Sequence, residues 1–383
     1  MYGTSSLKNP ASLTRVMSIA VQPPLCKGRW AQSARRGCRF LLSVYPVLYY
    51  GREVIHLPQI RLEAVSKRYV IAEREPGLAG ALRGLVKRKT RIVQAVDDVS
   101  FSLEPGELVG YIGPNGAGKS TTIKLMSGIL CPDSGVIDVM GRTPWKQRRQ
   151  HVAHIGVVFG QKSQLWWDTP AIDSFELLRD IYRVGQTDYK RRLDELCDRL
   201  DAGSILHTPV RQMSLGQRMK CEVIASLLHG PEILFLDEPT IGLDAVTRLA
   251  VRDFLIGLNR REGVTMILTT HDMDDVEALC RRVMVIGRGK LLFDGGMDDL
   301  RGTYAPNRLL KVRLGADVPL QSVEGAEKVE QNGRDVTISF RPEKTGAEKM
   351  IARIAALAPI ADLTVESADM EQVIADMYRE LKL

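Results

Sequence analysis

Gly113-Pro114-Asn115-Gly116-Ala117-Gly118-Lys119-Ser120-Thr121 is the stretch whose reading decides the fold. It fits the phosphate-binding loop G-x-x-x-x-G-K-[ST], and it follows an apolar strand pattern, Leu108 to Ile112, and opens a helix. Glycines let consecutive backbone N–H groups turn inward around phosphates, and the helix N-terminus adds its positive end. Lys119 is expected to reach the β and γ phosphates, with the Ser120 hydroxyl on Mg2+.

Working outward, Ile233 to Asp237 is an apolar strand ending in a carboxylate, and Glu238 follows at once. Such a strand places Asp237 at the C-terminal edge of a parallel sheet, where a divalent cation binds beside phosphates. The second carboxylate is suited to polarise an attacking water. Met266 to Leu268 is a further short apolar run of the central-strand kind, and Val99 to Leu103 and Gln59 to Tyr69 also read as strands. Helical spacing appears at Tyr189, Leu193, Leu196 and Leu200 and in the segment after Gly216. Strands alternating with helices imply an α/β core, a P-loop nucleotidase.

Other short patterns stand in a fixed order around these two. Gln161 lies in Val158-Phe159-Gly160-Gln161, and Met213-Ser214-Leu215-Gly216-Gln217 precedes Asp237, with Ser214 23 positions upstream. Ile241-Gly242-Leu243-Asp244 follows the acidic pair, and His271 follows Thr269-Thr270, 34 residues beyond Asp237. With this ordered set, residues 58–300 resemble the ABC ATPase family, most of all the ATP-binding subunits of exporters of the sodium, drug and polysaccharide type.

The resemblance implies roles position by position. Gly113 to Thr121 would cradle the phosphates of ATP, and Tyr69 would stack on adenine, although a plain strand-end tyrosine is the competing reading. Asp237, Ser120 and Gln161 would serve Mg2+, with Gln161 also sensing the lytic water. Glu238 would be the general base, and His271 would contact the γ-phosphate. Ser214, Gly216 and Gln217 would contact the γ-phosphate bound by the other subunit, with Asp244 at the dimer interface. Leu215 replaces a glycine usual in that signature, and a position requiring positive φ would strain it by about 1–2 kcal/mol.

One phosphate loop and one signature make half of two shared sites. The expected partners are a second copy or a homologous nucleotide-binding subunit, and a separate transmembrane permease, at the cytoplasmic face of the plasma membrane. The alternative is a soluble ATPase of the same family acting on ribosomes or nucleic acid. Against it, no heptad run separates Lys119 from Asp237, and the charge distribution is wrong. Of 53 basic side chains, eight fall within residues 1–52, which carry no acid, so the remainder nearly balances the 46 acidic residues. The net charge of +7 therefore belongs to the N-terminal extension and not to a nucleic-acid-binding face.

Residues 1–56 show no sustained period and read as a disordered or transit-like extension, or as a misplaced start. Its most apolar stretch, Phe40 to Tyr50, carries Pro46 and falls short of the roughly 20 residues a spanning helix needs. Residues 57–300 read as the nucleotide-binding domain. After Tyr69 comes a helix-prone basic insertion ending in Lys87-Arg88-Lys89-Thr90-Arg91, a solvated face or a contact for anionic headgroups. Residues 301–383 read as a small α+β domain. Its strands are Leu309–Arg313 and Asp335–Phe340, and its helices span 344–358 and 369–382, the second with Met370, Val373, Met377 and Leu381 along one side. Trp166-Trp167 is open between core packing and an interface with the permease. His151 and His154, spaced i,i+3, lack a nearby acidic or cysteine partner in sequence. The six cysteines contain no CxxC pair and suit reduced thiols.

Overall fold

A computed structural model of the chain describes residues 48–50, 53–55, 58–73, 89–160, 162–304, 306–367 and 370–381. Two compact units emerge, Met1–Leu57 and Pro58–Leu383. In the first, β1 (Leu48–Tyr50) and β2 (Glu53–Ile55) pair antiparallel, Tyr49 opposite Val54. The aperiodic reading of the extension missed this short pairing of aromatic and β-branched residues.

In the second unit, β3 (Ile60–Glu73), β4 (Lys89–Leu103), β5 (Leu108–Ile112), α1 (Lys119–Met126) and β6 (Ser134–Val139) come first. Next are α2 (Arg148–Val152), β7 (Ile155–Phe159), α3 (Ala171–Tyr182), α4 (Gln186–Leu200) and α5 (Leu215–Leu227). Then follow β8 (Ile233–Asp237), α6 (Ala245–Glu262), β9 (Thr265–Thr270), α7 (Met273–Leu279), β10 (Arg282–Gly287), β11 (Lys290–Gly296) and α8 (Met297–Tyr304). The chain closes with β12 (Arg308–Leu314), β13 (Ala326–Asn332), β14 (Asp335–Phe340), α9 (Ala347–Leu357), β15 (Ile360–Ser367) and α10 (Met370–Glu380).

The central sheet has the order β11-β10-β5-β9-β8-β7, parallel except for β11. Its middle strands are apolar throughout because both faces are covered. In β8, Leu234 and Leu236 enter the cluster beneath the helices, while Ile233 and Phe235 enter the one beneath the three-stranded sheet. That second sheet is antiparallel, β4-β3-β6.

β3 and β4 correct the sequence expectation of a helix-prone insertion directly after Tyr69. Residues 70–73 and 89–91 are strand, with Val70 opposite Ile92 and Ile71 opposite Arg91. β-Branched residues facing each other across a ladder outweigh the local helical pattern. Residues 74–88 of that insertion lie outside the described residues. β6 pairs with β3 only as far as Ser66, so the ribbon beyond has two strands and leaves Val70, Ile71 and Ile92 exposed. Where the register shifts, Ala64 and Asp98 take left-handed backbone. There side-chain hydroxyls complete the ladder: Ser100 Oγ accepts from Ala64 N at 2.8 Å and Ser66 Oγ from Asp98 N at 3.0 Å.

The third sheet, β13-β14-β12-β15, is antiparallel and carries its own core with α9. β13 and β15, unmarked in the sequence reading, are edge strands whose mixed polar pattern carries little periodic signal. α10 returns to the large cluster beneath the central sheet: Met370, Val373 and Met377 are buried there, and Tyr378 Oη donates to Ile286 O at 3.1 Å. Leu381, expected on the same stripe, is 42% exposed. Among the described residues no helix is long and apolar enough to cross a membrane.

Candidate nucleotide site

A cleft of about 550 Å³ opens at the C-terminal edge of the central sheet. Its floor is the loop from β5 to α1. Gly118 caps α1 with φ +114 and no side-chain hydrogen bond, so the first-turn amides of Lys119 to Thr121 have no side-chain acceptor. A Cβ at Gly118 would stand 2.3 Å from Ala95 O, and only glycine fits that conformation and that approach. Lys119 is buried, and its Nζ donates to Gly113 O at 2.6 Å and Pro114 O at 3.2 Å. Burial lowers its pKa, while the Glu238 and Asp237 carboxylates oppose that shift. Uncapped amides, an enclosed cation and the cleft-lining Lys124 and Lys162 suit a polyphosphate.

Asp237 ends β8 between Phe159 of β7 and Thr269 of β9. Its Oδ1 accepts from Ser120 Oγ at 3.0 Å and from Thr269 Oγ1 at 2.6 Å. A hydroxyl and a carboxylate meeting at the phosphate end of the cleft are a donor set that fits Mg2+, which takes few protein oxygens and completes its shell with phosphate and water. Glu238 has φ +54, a left-handed conformation uncommon for a side chain of this kind. Its amide is held by Thr269, to the carbonyl at 2.9 Å and the hydroxyl at 3.2 Å. The Glu238 side chain is 17% exposed, and His271 Nδ1 lies 3.7 Å from its Oε1.

Thus Asn115 to Thr121, Asp237, Glu238 and His271 line one cleft. Gln161 lies outside the described residues; Gly160 and Lys162 on either side of it line the cleft, and Gly160 N donates to Asp237 O at 2.7 Å. Tyr69 stands opposite Val93 in the β3–β4 ribbon; Val93 lines the cleft and Tyr69 does not. Ser214, Gly216 and Gln217 do not line it either.

Ser214 is instead the N-cap of α5. Its Oγ accepts from Gln217 N at 3.2 Å, and Gln217 Oε1 accepts from Ser214 N at 2.9 Å, so the Gln217 amide is engaged in a capping box. Ser-x-x-Gln is the sequence sign of such a cap. Leu215 is the first helical residue and is not among the residues of positive φ, so the strain anticipated for it does not arise. Its side chain covers Gly242, where a Cβ would meet Leu215 Cδ2 at 2.8 Å. Asp244 caps α6, accepting from Thr247 N at 3.0 Å and Thr247 Oγ1 at 2.7 Å.

Thr269 is the site residue that sequence reasoning passed over; its signal was a hydroxyl two residues before His271, on the strand beside Asp237. His151 and His154 have separate partners, Met126 O at 2.9 Å and Glu232 Oε1 at 2.8 Å, the latter an acid distant in sequence.

The family model described as ABC transporter matches residues 96–241. The ABC transporter ATP-binding protein NatA of Bacillus subtilis (strain 168) is 34% identical, over 55% of this chain and 86% of NatA. The linearmycin resistance ATP-binding protein LnrL of the same organism is 30% identical, over 74% of this chain and 82% of LnrL. A solved dimeric post-hydrolysis state of the ATP-binding cassette MJ0796, bound to ADP and Pi, shares the fold. Its TM-score is 0.53 at 23% identity, over 62% of this chain and 98% of that one. A phosphate cradle closed by two carboxylates, set in a sheet of this order and matched along most of NatA, leaves one assignment: the chain belongs to the ABC transporter family.

Proposed function

We propose that this subunit hydrolyses ATP in a site completed by a second nucleotide-binding subunit and so drives a separate membrane permease, in the direction of export. The observation that carries the reading is the division of the site. Ser214, Gly216 and Gln217 stand apart from the cleft that holds Lys119, Asp237 and Glu238, at the start of a helix whose own amides a γ-phosphate could engage. Head-to-tail closure of two subunits brings one chain's signature over the other's nucleotide.

Within the closed site the amides of Gly116 and of Gly118 to Thr121 and the Lys119 ammonium bind the phosphates, and Tyr69 approaches the base from the β3–β4 ribbon. Ser120, Asp237 and Gln161 hold Mg2+, which when bound offsets charge on the transferred phosphoryl group. Glu238 accepts the proton of a water attacking the γ-phosphorus in line as the bond to the β–γ bridging oxygen breaks, releasing ADP. His271 contacts the γ-phosphate, and Lys119 stabilises the developing charge. ATP favours the closed dimer and ADP does not, a population shift that moves the permease. Asp244, rigid at the cap of α6, lies at the dimer contact. Transporter relatives favour this reading over action on ribosomes or nucleic acid, and residues 301–383 act as an accessory domain at the peripheral, cytoplasmic side.

The test is a pull-down of tagged Glu238→Gln protein with ATP from gently solubilised native membranes. A stoichiometric polytopic membrane protein is expected. Ribosomal or DNA-associated partners, with no membrane protein, would overturn the proposal.

A further inference from the structure

The loop after β7 is fastened to the signature helix α5 by a buried carboxylate. Glu222 is 4% exposed, in a stretch of α5 whose neighbours Cys221, Val223 and Ile224 are all buried. Its carboxylate accepts from the Ser163 hydroxyl and from Gln164 N at 3.3 Å, and Gln164 Nε2 donates back to Glu222 O at 3.1 Å. One turn earlier on the same face, the Arg218 guanidinium lies 5.6 Å from the centre of the Trp167 ring. The rest of the loop is tied to its own residues, to α3 and to the segment just before Ser214: Leu165 N donates to Ser163 Oγ at 3.1 Å, Trp166 N to Ser174 Oγ of α3 at 3.0 Å, and Arg211 N to Trp167 O at 2.9 Å. Trp166 and Trp167 are each 52% exposed, which removes core packing as their role.

A carboxylate in a buried helix face is a net cost unless its hydrogen bonds are met. Burial pushes the Glu222 carboxyl up, and the bonds from Ser163 and Gln164 oppose that shift. All of the partners that meet it come from the loop, so the placement serves the loop and not the helix. Glu222 lies eight residues from Ser214, about 12 Å along one rigid helix.

We propose that Glu222 is a positioning residue that, together with the bond from Arg211 N to Trp167 O, makes the exposed Trp166–Trp167 pair travel with Ser214 as one body. When the partner's nucleotide draws the start of α5 inward, the same movement carries the loop, and the tryptophan pair reports closure on the outer surface. This inference rests on the shared-site reading of Ser214 and Gly216.

The test uses the full chain with Glu238→Gln, so that ATP is retained, and records tryptophan emission during titration with Mg-ATP, with the sizing-column position measured in parallel. Trp166→Phe and Trp167→Phe variants assign the emitting rings. ATP is expected to shift the emission of the pair. Added Glu222→Ala, or Ser163→Ala, which leaves both Gln164 bonds to Glu222 in place, reduces that shift while the ATP-dependent dimer persists. Glu222→Gln, which keeps an acceptor oxygen, restores part of it. An emission response unchanged in Ser163→Ala and in every folded Glu222→Ala sample, or a dimerising parent with no response, overturns the proposal and leaves the shared site standing. A parent that neither binds ATP nor dimerises overturns the shared site and this inference with it.

Discussion

The Thr269 hydroxyl donates to Asp237 Oδ1 across 2.6 Å, and the same residue's carbonyl accepts from the Glu238 amide at 2.9 Å. One fully buried residue of β9 therefore grips both acidic positions at the end of β8. The left-handed backbone of Glu238 costs about 1–2 kcal/mol, and these bonds offset it. Thr269→Val keeps the shape and removes the hydroxyl, so a loss of about 1 kcal/mol in denaturant unfolding is expected, recovered by Thr269→Ser. A valine variant as stable as the parent would remove Thr269 from this role.

Lys119→Ala removes the enclosed cation of the phosphate cradle. Turnover is expected to fall by at least about 10²-fold, together with loss of binding in a fluorescent-nucleotide titration. Turnover at the parental rate would sink the assignment of the cleft.

Glu238→Gln keeps the volume and the backbone grip while abolishing the base. Turnover should drop by about 10²–10⁴-fold, and the variant should run as a dimer on a sizing column only when ATP is present. Failure of ATP to shift that elution would refute the shared site.

Leu215→Gly restores a glycine to the signature. Because Leu215 begins α5 without positive φ and covers Gly242, the substitution loses both helix propensity and a packing contact. A fall in thermal midpoint is expected, from a loss of about 1 kcal/mol or more. A rise would mean that the leucine is strained after all.

His151 is fully buried, and burial pushes its pKa down to about 4 from 6.5. Between those values the unfolded chain binds more protons than the folded one. The stabilising contribution is therefore whole above pH 6.5 and is lost as pH falls toward 4, by about 1.4 kcal/mol per pH unit. Burial pushes His229 down to about 4 as well, and the two slopes add. Urea unfolding across that window should show the slope, and His151→Gln should flatten it; an equal slope in the variant would rule His151 out as its source.

Contiguous residues carried what the sequence determined by itself. A phosphate loop needs only nine neighbouring residues between a strand and a helix, and the run of Ile233 to Leu236 is apolar because both faces of a central parallel strand are covered. The ordered motifs from Lys119 to His271 thus identified the α/β core and the family before any contact was known. Tertiary structure alone decided the features that depend on residues remote in the chain. At residues 70–73 and 89–91 the β3–β4 ribbon replaced a helical expectation because cross-strand partners, invisible to local periodicity, set the backbone. Leu215 proved unstrained because α5 starts there and Gly242 leaves room for it. The grip of Thr269 on Asp237 and of Glu222 on Ser163 joins positions 32 and 59 residues apart. Only the folding of the chain brings a hydroxyl from one strand or loop to a carboxylate on another element, and so no local pattern marks such pairs.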